Sequence, residues 1–410
     1  MGPARLLISA AVSLAAALAP AAAGDLDAVL GRAIFKRMWV AGGASTRSAD
    51  GLGPLFNARS CTGCHRDAGP SQILALEDGS LEGAGLIVRL SNAEGGPDPV
   101  YGRQIEPQAL AGQIAEAKTE FNLVPPAAGE PGPHTAVVLS AFGYGPLAPG
   151  TVFGVRTGPS LRGRAALDRI DEAAVAALAD PDDANGDGIS GREQRLDDGK
   201  GGTVLGRYGW RAGHATLESQ IAGAFSLDIG LSTPLYPNPA GDCTPAQKDC
   251  LAARHGDRDG MTETEVTAEM LAMLDAYLAS LKARPPAADG AAGRALFVAA
   301  GCGACHVPEM PAVGGGTVPA FTDLLLHDLG PGLADPAVEG VATALEWRTA
   351  PLAGLGDGRT GARRFLHDGR AGSIDEAIRW HGGEASAAKM RYEGLSAADR
   401  AALVAYLKGL

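Results

Sequence analysis

The sequence predicts a mainly α-helical protein built from two tandem copies of one small domain, with loop and short-strand insertions in the first copy. Three observations predict this architecture: a Cys-x-x-Cys-His motif that occurs twice, further segments that recur in the same order, and apolar residues at helical spacing behind N-terminal caps. The chain has 410 residues, of which 46% are hydrophobic, enough for two or three packed domains and too many for general disorder.

The charge balance is acidic, with 47 Asp and Glu against 35 Lys and Arg. A nucleic-acid-binding protein needs a basic face to contact phosphates, so this balance argues against a nucleic-acid partner. Only 5% of the residues are aromatic, which leaves room for another large apolar group in the interior.

The first 23 residues predict an export signal. Arg5 gives a positive start, residues 6–19 are apolar, and Ala21 and Ala23 form a cleavage site before Gly24. The apolar stretch is shorter than the ~20 residues that span a bilayer, and a membrane anchor is the alternative. We therefore expect a periplasmic protein with no membrane span after signal removal, in a compartment where disulfides form.

The six cysteines fall into three close pairs. Two pairs read C-x-x-C followed by histidine, as Cys61, Cys64 and His65 in the first copy and Cys302, Cys305 and His306 in the second. This is the signature of covalent c-type haem attachment, in which two thiols bind the haem vinyl groups and the histidine ligates the iron. One such motif alone could be a redox dithiol or half a zinc site. Two copies in an exported chain favour two covalently bound haem c groups.

The third pair, Cys243 and Cys250, has no histidine beside it and lies in a segment rich in Gly, Asp and Pro. We predict a disulfide that closes this short loop, which contributes roughly 2–3 kcal/mol in the loop-entropy model. Metal ligation is the alternative. With the disulfide, no cysteine is left free for catalysis.

Four further pairs of segments recur in the same order around the two haem motifs. They are GRAIF 31–35 with GRALF 293–297, RTGPSLRG 156–163 with RTAPLAGL 348–355, WRAGHATL 210–217 with HDGRAGSI 367–374, and AYLASL 276–281 with AYLKGL 405–410. The shared order predicts a duplication of one cytochrome c-like haem domain. The Pro/Ala/Gly-rich segment 282–293 predicts the linker. We expect a signal over 1–23, an N-terminal haem domain over 24–284 and a C-terminal haem domain over 285–410.

Local patterns support the helical class. A capping box at Thr262 and Glu265 precedes an apolar stripe that runs to Leu281, and a similar cap at 396–399 precedes a last helix. Residues 85–91, which are β-branched and bounded by Gly and Asn, predict a strand in the insertion.

A loop at 183–188 has the alternating oxygen ligands and the glycine of the first half of an EF-hand. The glutamate expected at the twelfth position of that motif is Gln194. Two interpretations stay open: a calcium site formed by Asp183, Asn185 and Asp187, and a solvated turn of Asp, Asn and Gly.

Longer segments resemble those of the bacterial di-haem c-type oxidoreductases, a family described as peroxidases or as thiol-oxidoreductase-like. They are FNARSCTGCH, DANGDGISGR, LGRYGWRA, the Cys243–Cys250 loop, FTDLLLHDLG, EWRTAPLAGLG, FLHDGRAGSIDEAIRWHGGEA and the closing helix. The resemblance covers essentially the whole mature chain. This family is more distantly similar to the di-haem cytochrome c peroxidases and to the di-haem enzyme that builds the tryptophan-derived cofactor of methylamine dehydrogenase.

The resemblance implies the ligands of the second haem. An iron with two strong protein ligands only passes electrons, whereas an iron with an open position also binds peroxide. His381, after EAIRW, is implied as the sixth ligand of the second haem, where the peroxidases are expected to carry Met. His327 and His367 are alternatives for this role, and His381 is then a surface residue.

The segment before RTGPSL, where the peroxidases place a removable distal histidine, contains no histidine. We therefore expect the first haem to be five-coordinate or weakly capped, with His134 as the alternative ligand. The resemblance also implies Trp210 as a relay between the haems and Asp228 as the group that moves a proton between the peroxide oxygens. A core tryptophan and a solvated loop aspartate are the alternatives for these two residues.

The sequence thus predicts an exported di-haem oxidoreductase with peroxidase-like chemistry. A redox partner protein gives electrons to the C-terminal haem, and they pass Trp210 to the open N-terminal haem, where peroxide reacts. Two other functions stay open: an electron-transfer cytochrome without substrate chemistry, and a maturation factor that oxidises side chains of a partner protein. The missing distal histidine favours an enzyme but does not distinguish peroxide from a protein substrate.

Overall fold

The structure, a computed structural model, describes residues 21–256, 263–283, 290–356 and 363–410. Residues 1–20 of the predicted signal, the cap residue Thr262 and the predicted domain boundary between 284 and 285 lie outside the described residues. Over the described part of the chain, no helix combines the length and the apolar character needed to cross a membrane.

The prediction of a mainly α fold with two cytochrome c-like domains is wrong, because the structure is 28% helical and 19% strand, with many small sheets. Most of these strands have two or three residues, too few for an alternating pattern to be visible in the sequence. The predicted strand at 85–91 is confirmed as Leu86–Ser91. The longer strands of the insertion, at 118–124 and 134–140, are the ones that the repeat-based interpretation overlooked.

The described helices are short, and the longest of them pack in pairs. They are α1 (Ala21–Phe35), α2 (Cys61–Cys64), α3 (Glu172–Ala176), α4 (Leu217–Ala224), α5 (Lys248–Leu251), α6 (Ala268–Ser280), α7 (Ala291–Ala299), α8 (Ile374–Arg379), α9 (Ser386–Glu393) and α10 (Ala397–Lys408). Helix α1 packs on α6, and α7 packs on α10. The matched glycines of the two repeats explain these approaches: a Cβ on Gly31 would lie 1.9 Å from the carbonyl oxygen of Met273, and one on Gly293 would lie 2.4 Å from Cβ of Tyr406.

The caps at the two predicted helices differ in outcome. Ser396 caps α10 as predicted, with its side chain accepting the backbone N–H of Asp399. Helix α6 begins later than predicted, because Thr267 is its N-cap. Glu265 instead accepts the backbone N–H groups of Ser232 and Gly256, at 2.8 Å each.

The strands form one four-stranded sheet and six two-stranded sheets among the described residues. They are β1 (Val40–Ala41), β2 (Asp50–Leu52), β3 (Leu55–Phe56), β4 (Gln72–Ala75), β5 (Ser80–Ala84), β6 (Leu86–Ser91), β7 (Gln108–Ala109), β8 (Lys118–Val124), β9 (His134–Ser140), β10 (Val152–Thr157), β11 (Arg195–Asp197), β12 (Thr203–Leu205), β13 (Met310–Pro311), β14 (Thr317–Val318), β15 (Leu326–Asp328) and β16 (Glu346–Arg348). The largest sheet has the antiparallel order β4-β5-β8-β9, and β6 pairs antiparallel with β10. In the antiparallel pair β15–β16, His327 lies opposite Trp347.

Two apolar cores hold the helix pairs. The larger core includes Phe35, Trp39, Phe225 and Leu274 around α1, α4 and α6. A second core around α7 and α10 includes Phe297 and Leu403 among its buried residues. Each core therefore joins the helix that precedes a haem motif to the last helix of the same repeat.

Candidate haem sites

The first motif begins with a single helical turn, α2, that carries Cys61 and Cys64 and ends at His65. Both thiols are free of disulfides. Removal from water, and after it the negative charge of Asp228, raises the pKa of both cysteines to about 12. Two reduced thiols on one turn beside a histidine are the donor set that covalent haem attachment needs, so these residues fit the group.

His65 is oriented by a backbone carbonyl. Its Nδ1–H donates to the oxygen of Gly69 at 3.1 Å, which leaves Nε2 with the lone pair. Burial lowers the pKa of His65, and the carbonyl contacts to Gly69 and Pro159 and the charge of Asp228 only partly oppose this. The RTGPSL segment lies against the ring, since a Cβ on Gly158 would be 2.7 Å from Cε1. A neutral imidazole with a free Nε2 is a suitable iron ligand.

The second motif repeats this arrangement and adds a second histidine. His306 donates Nδ1–H to the oxygen of Phe321 at 3.2 Å, and His381 donates Nδ1–H to the oxygen of Ala377 at 2.8 Å. Burial, followed by the charge of His381, lowers the pKa of His306 to about 4. His381 therefore lies within electrostatic reach of His306, and in both rings Nδ1 is the nitrogen bound to a backbone oxygen. This is the donor set of an iron with two histidine ligands.

His327 lies beside Cys305 and has no free nitrogen. Its Nε2–H donates to Asp323 at 2.9 Å, and its Nδ1–H donates to Glu384 at 2.6 Å. Burial opposes the charge, but the hydrogen bonds to Asp323, Cys305 and Glu384 raise the pKa of His327 to about 12. Both ring nitrogens of His327 are thus bound to carboxylates, which favours the protonated ring and disfavours His327 as an iron ligand.

Two other candidate histidines have partners outside the two haem motifs. His134 donates to Glu130 and accepts from Nη1 of Arg370 at 3.2 Å, and its ring is 5.0 Å from that of Trp380. Since Trp380 directly precedes His381, His134 belongs to the surroundings of the second motif. His367 stacks on Trp347 with a centroid distance of 3.8 Å.

Trp210 lies between the repeat segments that accompany the two motifs. Its indole Nε1–H donates to the oxygen of Thr157 at 2.8 Å, and Thr157 precedes the Gly158 that contacts His65. The oxygen of Trp210 accepts the backbone N–H of Arg348 at 3.0 Å. Arg348 begins the RTAPL segment, and Leu352 in that segment donates to the oxygen of Phe321, which holds His306.

Asp228 lies beside the first motif, in a wide turn over residues Phe225–Ile229 that follows α4. Its backbone oxygen accepts the N–H groups of Asn57 and Ala58 at 2.9 and 3.0 Å, only a few residues before Cys61. Nε2 of Gln104 donates to Oδ1 of Asp228 at 2.9 Å. The carboxylate is thus positioned on the side of the first motif, where a proton-transfer group is expected.

Sequence reasoning missed two buried acids close to this site, Glu106 and Glu116. They expose 3% and 1% of their surface, and Oε2 of Glu116 accepts the backbone N–H of Glu106 at 2.7 Å. No motif surrounds them, so nothing in the sequence distinguishes them from the many solvated glutamates. Only the folded insertion brings Glu106 and Glu116 together, through the hydrogen bond between them.

In the EF-hand-like loop, side-chain oxygens accept hydrogen bonds from backbone N–H groups of the same loop. Asp183 accepts the N–H of Gly188, Asn185 Oδ1 accepts that of Asp187, and Asp187 Oδ1 accepts that of Ile189. Gln194 is buried and donates to the oxygen of Glu339 at 2.8 Å, away from the loop. These contacts are those of a turn of Asp and Asn residues, and calcium binding stays a prediction.

The structure joins Cys243 and Cys250 in a disulfide, with their Cα atoms 6.2 Å apart. The bond closes the loop over residues 243–250 and holds Gln247, which lies inside it and is fully buried. The loop therefore presents a polar side chain to the interior of the insertion.

Comparison with known families gives one match. Residues 147–410 match the sequence model of a family described as "Di-haem oxidoreductase, putative peroxidase". The matched part contains the second motif, Trp210, Asp228 and His381, and it begins after the first motif. No curated protein and no solved structure gives a significant match.

Proposed function

This chain belongs to the di-haem oxidoreductase family and is an oxidoreductase, and we propose that it reduces peroxide at the first of two covalently bound haem c groups. One observation carries the proposal: the two motif histidines have different neighbours. Among titratable groups, His381 has the largest effect on the pKa of His306. In the described part of the chain, the pKa of His65 is instead affected by the backbone oxygens of Gly69 and Pro159 and by the charge of Asp228. The second iron would have two histidine ligands and the first would have one.

Haem attached at these motifs supplies an iron that passes single electrons and, where an axial position is open, binds peroxide. At the second site, His306 and His381 would both hold the iron and would leave no place for substrate. His327 is ion-paired with Asp323 and Glu384 there, and both carboxylates favour its protonated form. These residues suit the second site to electron entry from a redox partner protein.

Trp210 supports a short path from the second site to the first. Its indole is bonded to Thr157, next to the glycine that contacts His65, and its backbone is bonded to Arg348. Of the four tryptophans, Trp39, Trp347 and Trp380 are buried, whereas Trp210 is half-buried. The location between the two repeat segments favours a relay over a purely structural role.

At the first site, the reduction of H₂O₂ to two water molecules takes up two electrons and two protons. Asp228 is the acid whose charge raises the pKa of both Cys61 and Cys64, and Gln104 donates to its Oδ1. We infer that Asp228 moves the proton between the peroxide oxygens, which is general acid–base work. We further propose that the protein acts in the periplasm, since residues 1–23 have the pattern of an export signal.

Rapid mixing of the fully reduced protein with H₂O₂ tests this function. We expect one H₂O₂ to remove one electron from each haem, with the absorption of the first haem changing before that of the second. An electron carrier would instead show two low-spin haems that do not respond to peroxide, either fully oxidised or after one-electron reduction. That result would contradict the proposal.

A further inference from the structure

Glu106 and Glu116 are buried acids without a cationic partner. Their exposed fractions are 3% and 1%, and neither takes part in an ion pair with Lys or Arg among the described residues. An isolated carboxylate is poorly tolerated away from water, so a buried carboxyl without a cation binds a proton instead. We therefore expect Glu106 and Glu116 to hold at least one proton between them.

Hydrogen bonds hold the two carboxyls in fixed positions. Oε2 of Glu116 accepts the backbone N–H of Glu106 at 2.7 Å, and its Oε1 accepts Nε2 of Gln247 at 2.5 Å. Oε2 of Glu106 accepts Nδ2 of Asn57 at 3.2 Å. Oε1 of Glu106 is buried without a hydrogen-bond partner. A buried polar oxygen with no protein partner is a natural contact for a bound water or for a proton in transit.

The charged groups around the pair are mostly acidic. Burial raises the pKa of Glu116 to about 8, and burial followed by the charge of Glu116 raises that of Glu106 well above its ordinary value. Adjacent buried carboxyls do not both ionise, so the pair keeps at least one proton at neutral pH. The titratable and charged groups that face the pair are Arg89, Asp98, Tyr101, Tyr144, Asp228 and Asp242, of which Arg89 is the cation.

Two residues connect the pair to the first haem site. Gln104 is fully buried, lies two residues before Glu106 and donates to Oδ1 of Asp228. Asn57, which holds Glu106, also donates its backbone N–H to the oxygen of Asp228 at 2.9 Å. The negative charge of Asp228 raises the pKa of Glu106 and also raises the pKa of Cys61.

On its other side, the pair adjoins the disulfide loop. Gln247 contacts Glu116 from inside that loop, and Asp242 precedes it and is half-buried. Oδ2 of Asp242 accepts the backbone N–H of Arg103 at 2.5 Å. Burial raises the pKa of Asp242 to about 6, so this group exchanges protons with solvent near neutral pH.

We propose that Glu106 and Glu116 hold the proton that Asp228 delivers at the first haem site, with Asp242 returning protons from solvent. The inference rests on the proposed peroxide reduction. Each H₂O₂ that becomes two waters takes two electrons from the redox partner by way of the second haem, and two protons. When Asp228 gives up a proton, Glu106 replaces it, and the pair regains a proton through Asp242. The two glutamates thus act through Asp228 and are positioning residues.

Glu106→Gln in the haem-loaded protein is the sharpest test, because the amide keeps the acceptor for Asn57 and cannot exchange a proton. Glu120→Gln, an exposed residue on β8, is the matched control. At pH 7, we expect the infrared spectra of the wild type and of Glu120→Gln to contain the C=O stretch of a protonated carboxyl. This band should be weaker in Glu106→Gln. Peroxide turnover should fall about 10- to 100-fold with an unchanged KM, at or below the lower end of general acid–base effects, because Glu106 acts through Asp228. The alkaline limb of the pH profile of turnover should shift.

Each contrary result is decisive. A wild type without a protonated carboxyl at pH 7, or a Glu106→Gln protein with the rate and pH profile of the control, overturns the proposal. If the wild type does not consume peroxide, the proposed function fails. The role of Glu106 and Glu116 is then tested separately, by whether the infrared carboxyl band changes when the first haem is reduced. A change in the carboxyl band that Glu106→Gln abolishes supports it, and a wild type without that change overturns it.

Discussion

The two candidate haem sites share one attachment motif and differ in everything around it. In both, a half-buried histidine donates Nδ1–H to a backbone oxygen. The second site then presents His381 and an ion-paired His327, whereas the first presents Asp228 with two buried glutamates near it. The comparison teaches that the motif sets where a haem is held, and that the neighbouring side chains set what it does.

The charges of the two sites also differ in how they are balanced. His327 is held between Asp323 and Glu384, so two carboxylates balance its positive charge when it is protonated. Glu106 and Glu116 have no such partner in the described residues, so their charge depends on bound protons. A site with fixed charges suits electron transfer, and a site with exchangeable protons suits a reaction that consumes them.

The largest expected effect is that of His381→Ala. Removal of a distal ligand should convert the second haem from low spin to high spin and make the two sites alike. Electron paramagnetic resonance of the oxidised protein measures this directly. His134→Ala is the control, because His134 lies near Trp380 without a free nitrogen, and it should leave both haems unchanged. An unchanged spin state in His381→Ala would remove the ligand assignment.

Asp228→Asn should affect the first site alone. The amide keeps an oxygen that accepts from Gln104 but cannot move a proton, so peroxide turnover should fall by about 100-fold, the lower end of general acid–base effects. The spectrum of the second haem should not change. Asp27→Asn, on the exposed face of α1, is the matched control. Full turnover in Asp228→Asn would show that the proton comes from another group.

Trp210→Phe tests the connection between the sites. We expect electron transfer between the haems to slow about tenfold, equal to a barrier increase of about 1.4 kcal/mol. Trp347→Phe should have a smaller effect, since the guanidinium groups of Arg156 and Arg211 lie 4.8 and 4.3 Å from its ring centroid and disfavour its oxidation. Flash-induced or rapid-mixing kinetics resolve the two variants. Equal rates in both would favour a core role for Trp210.

The smallest effect concerns stability. Glu116 has a pKa of about 8 in the folded state against 4.5 ordinarily, so its proton stabilises the fold at low pH, and this contribution is lost as pH rises through 8. Glu116→Gln should make the fall in unfolding free energy between pH 5 and pH 8 shallower, by at most about 1.4 kcal/mol per pH unit. Denaturant unfolding at several pH values measures the slope. A slope equal to that of the wild type would mean that Glu116 is ionised in the folded protein.

Local signals in the sequence predicted local structure well. The cap at Ser396 and the strand at 86–91 needed only neighbouring residues, and both are present. The two- and three-residue strands could not be predicted, because each is held by pairing with a distant segment and carries almost no pattern of its own. These short strands, together with the overlooked longer strands at 118–124 and 134–140, made the predicted class wrong.

The same limit applies to the site. The haem motifs could be read directly, but the sequence left the positions of His134 and His327 open, and only tertiary contacts distinguish them from His381. Glu116 contacts Gln247, 131 residues away, so no window of sequence contains the pair and its surroundings. Acids whose pKa is raised by contacts between distant segments can be recognised only in the folded chain.

The most direct test of the difference between the two sites is the electron paramagnetic resonance spectrum of the oxidised wild-type protein before and after addition of H₂O₂. We expect one low-spin haem with two histidine ligands and one high-spin haem, and only the high-spin signal should disappear with peroxide. Two low-spin haems that ignore peroxide, or two high-spin haems that both react, would contradict it.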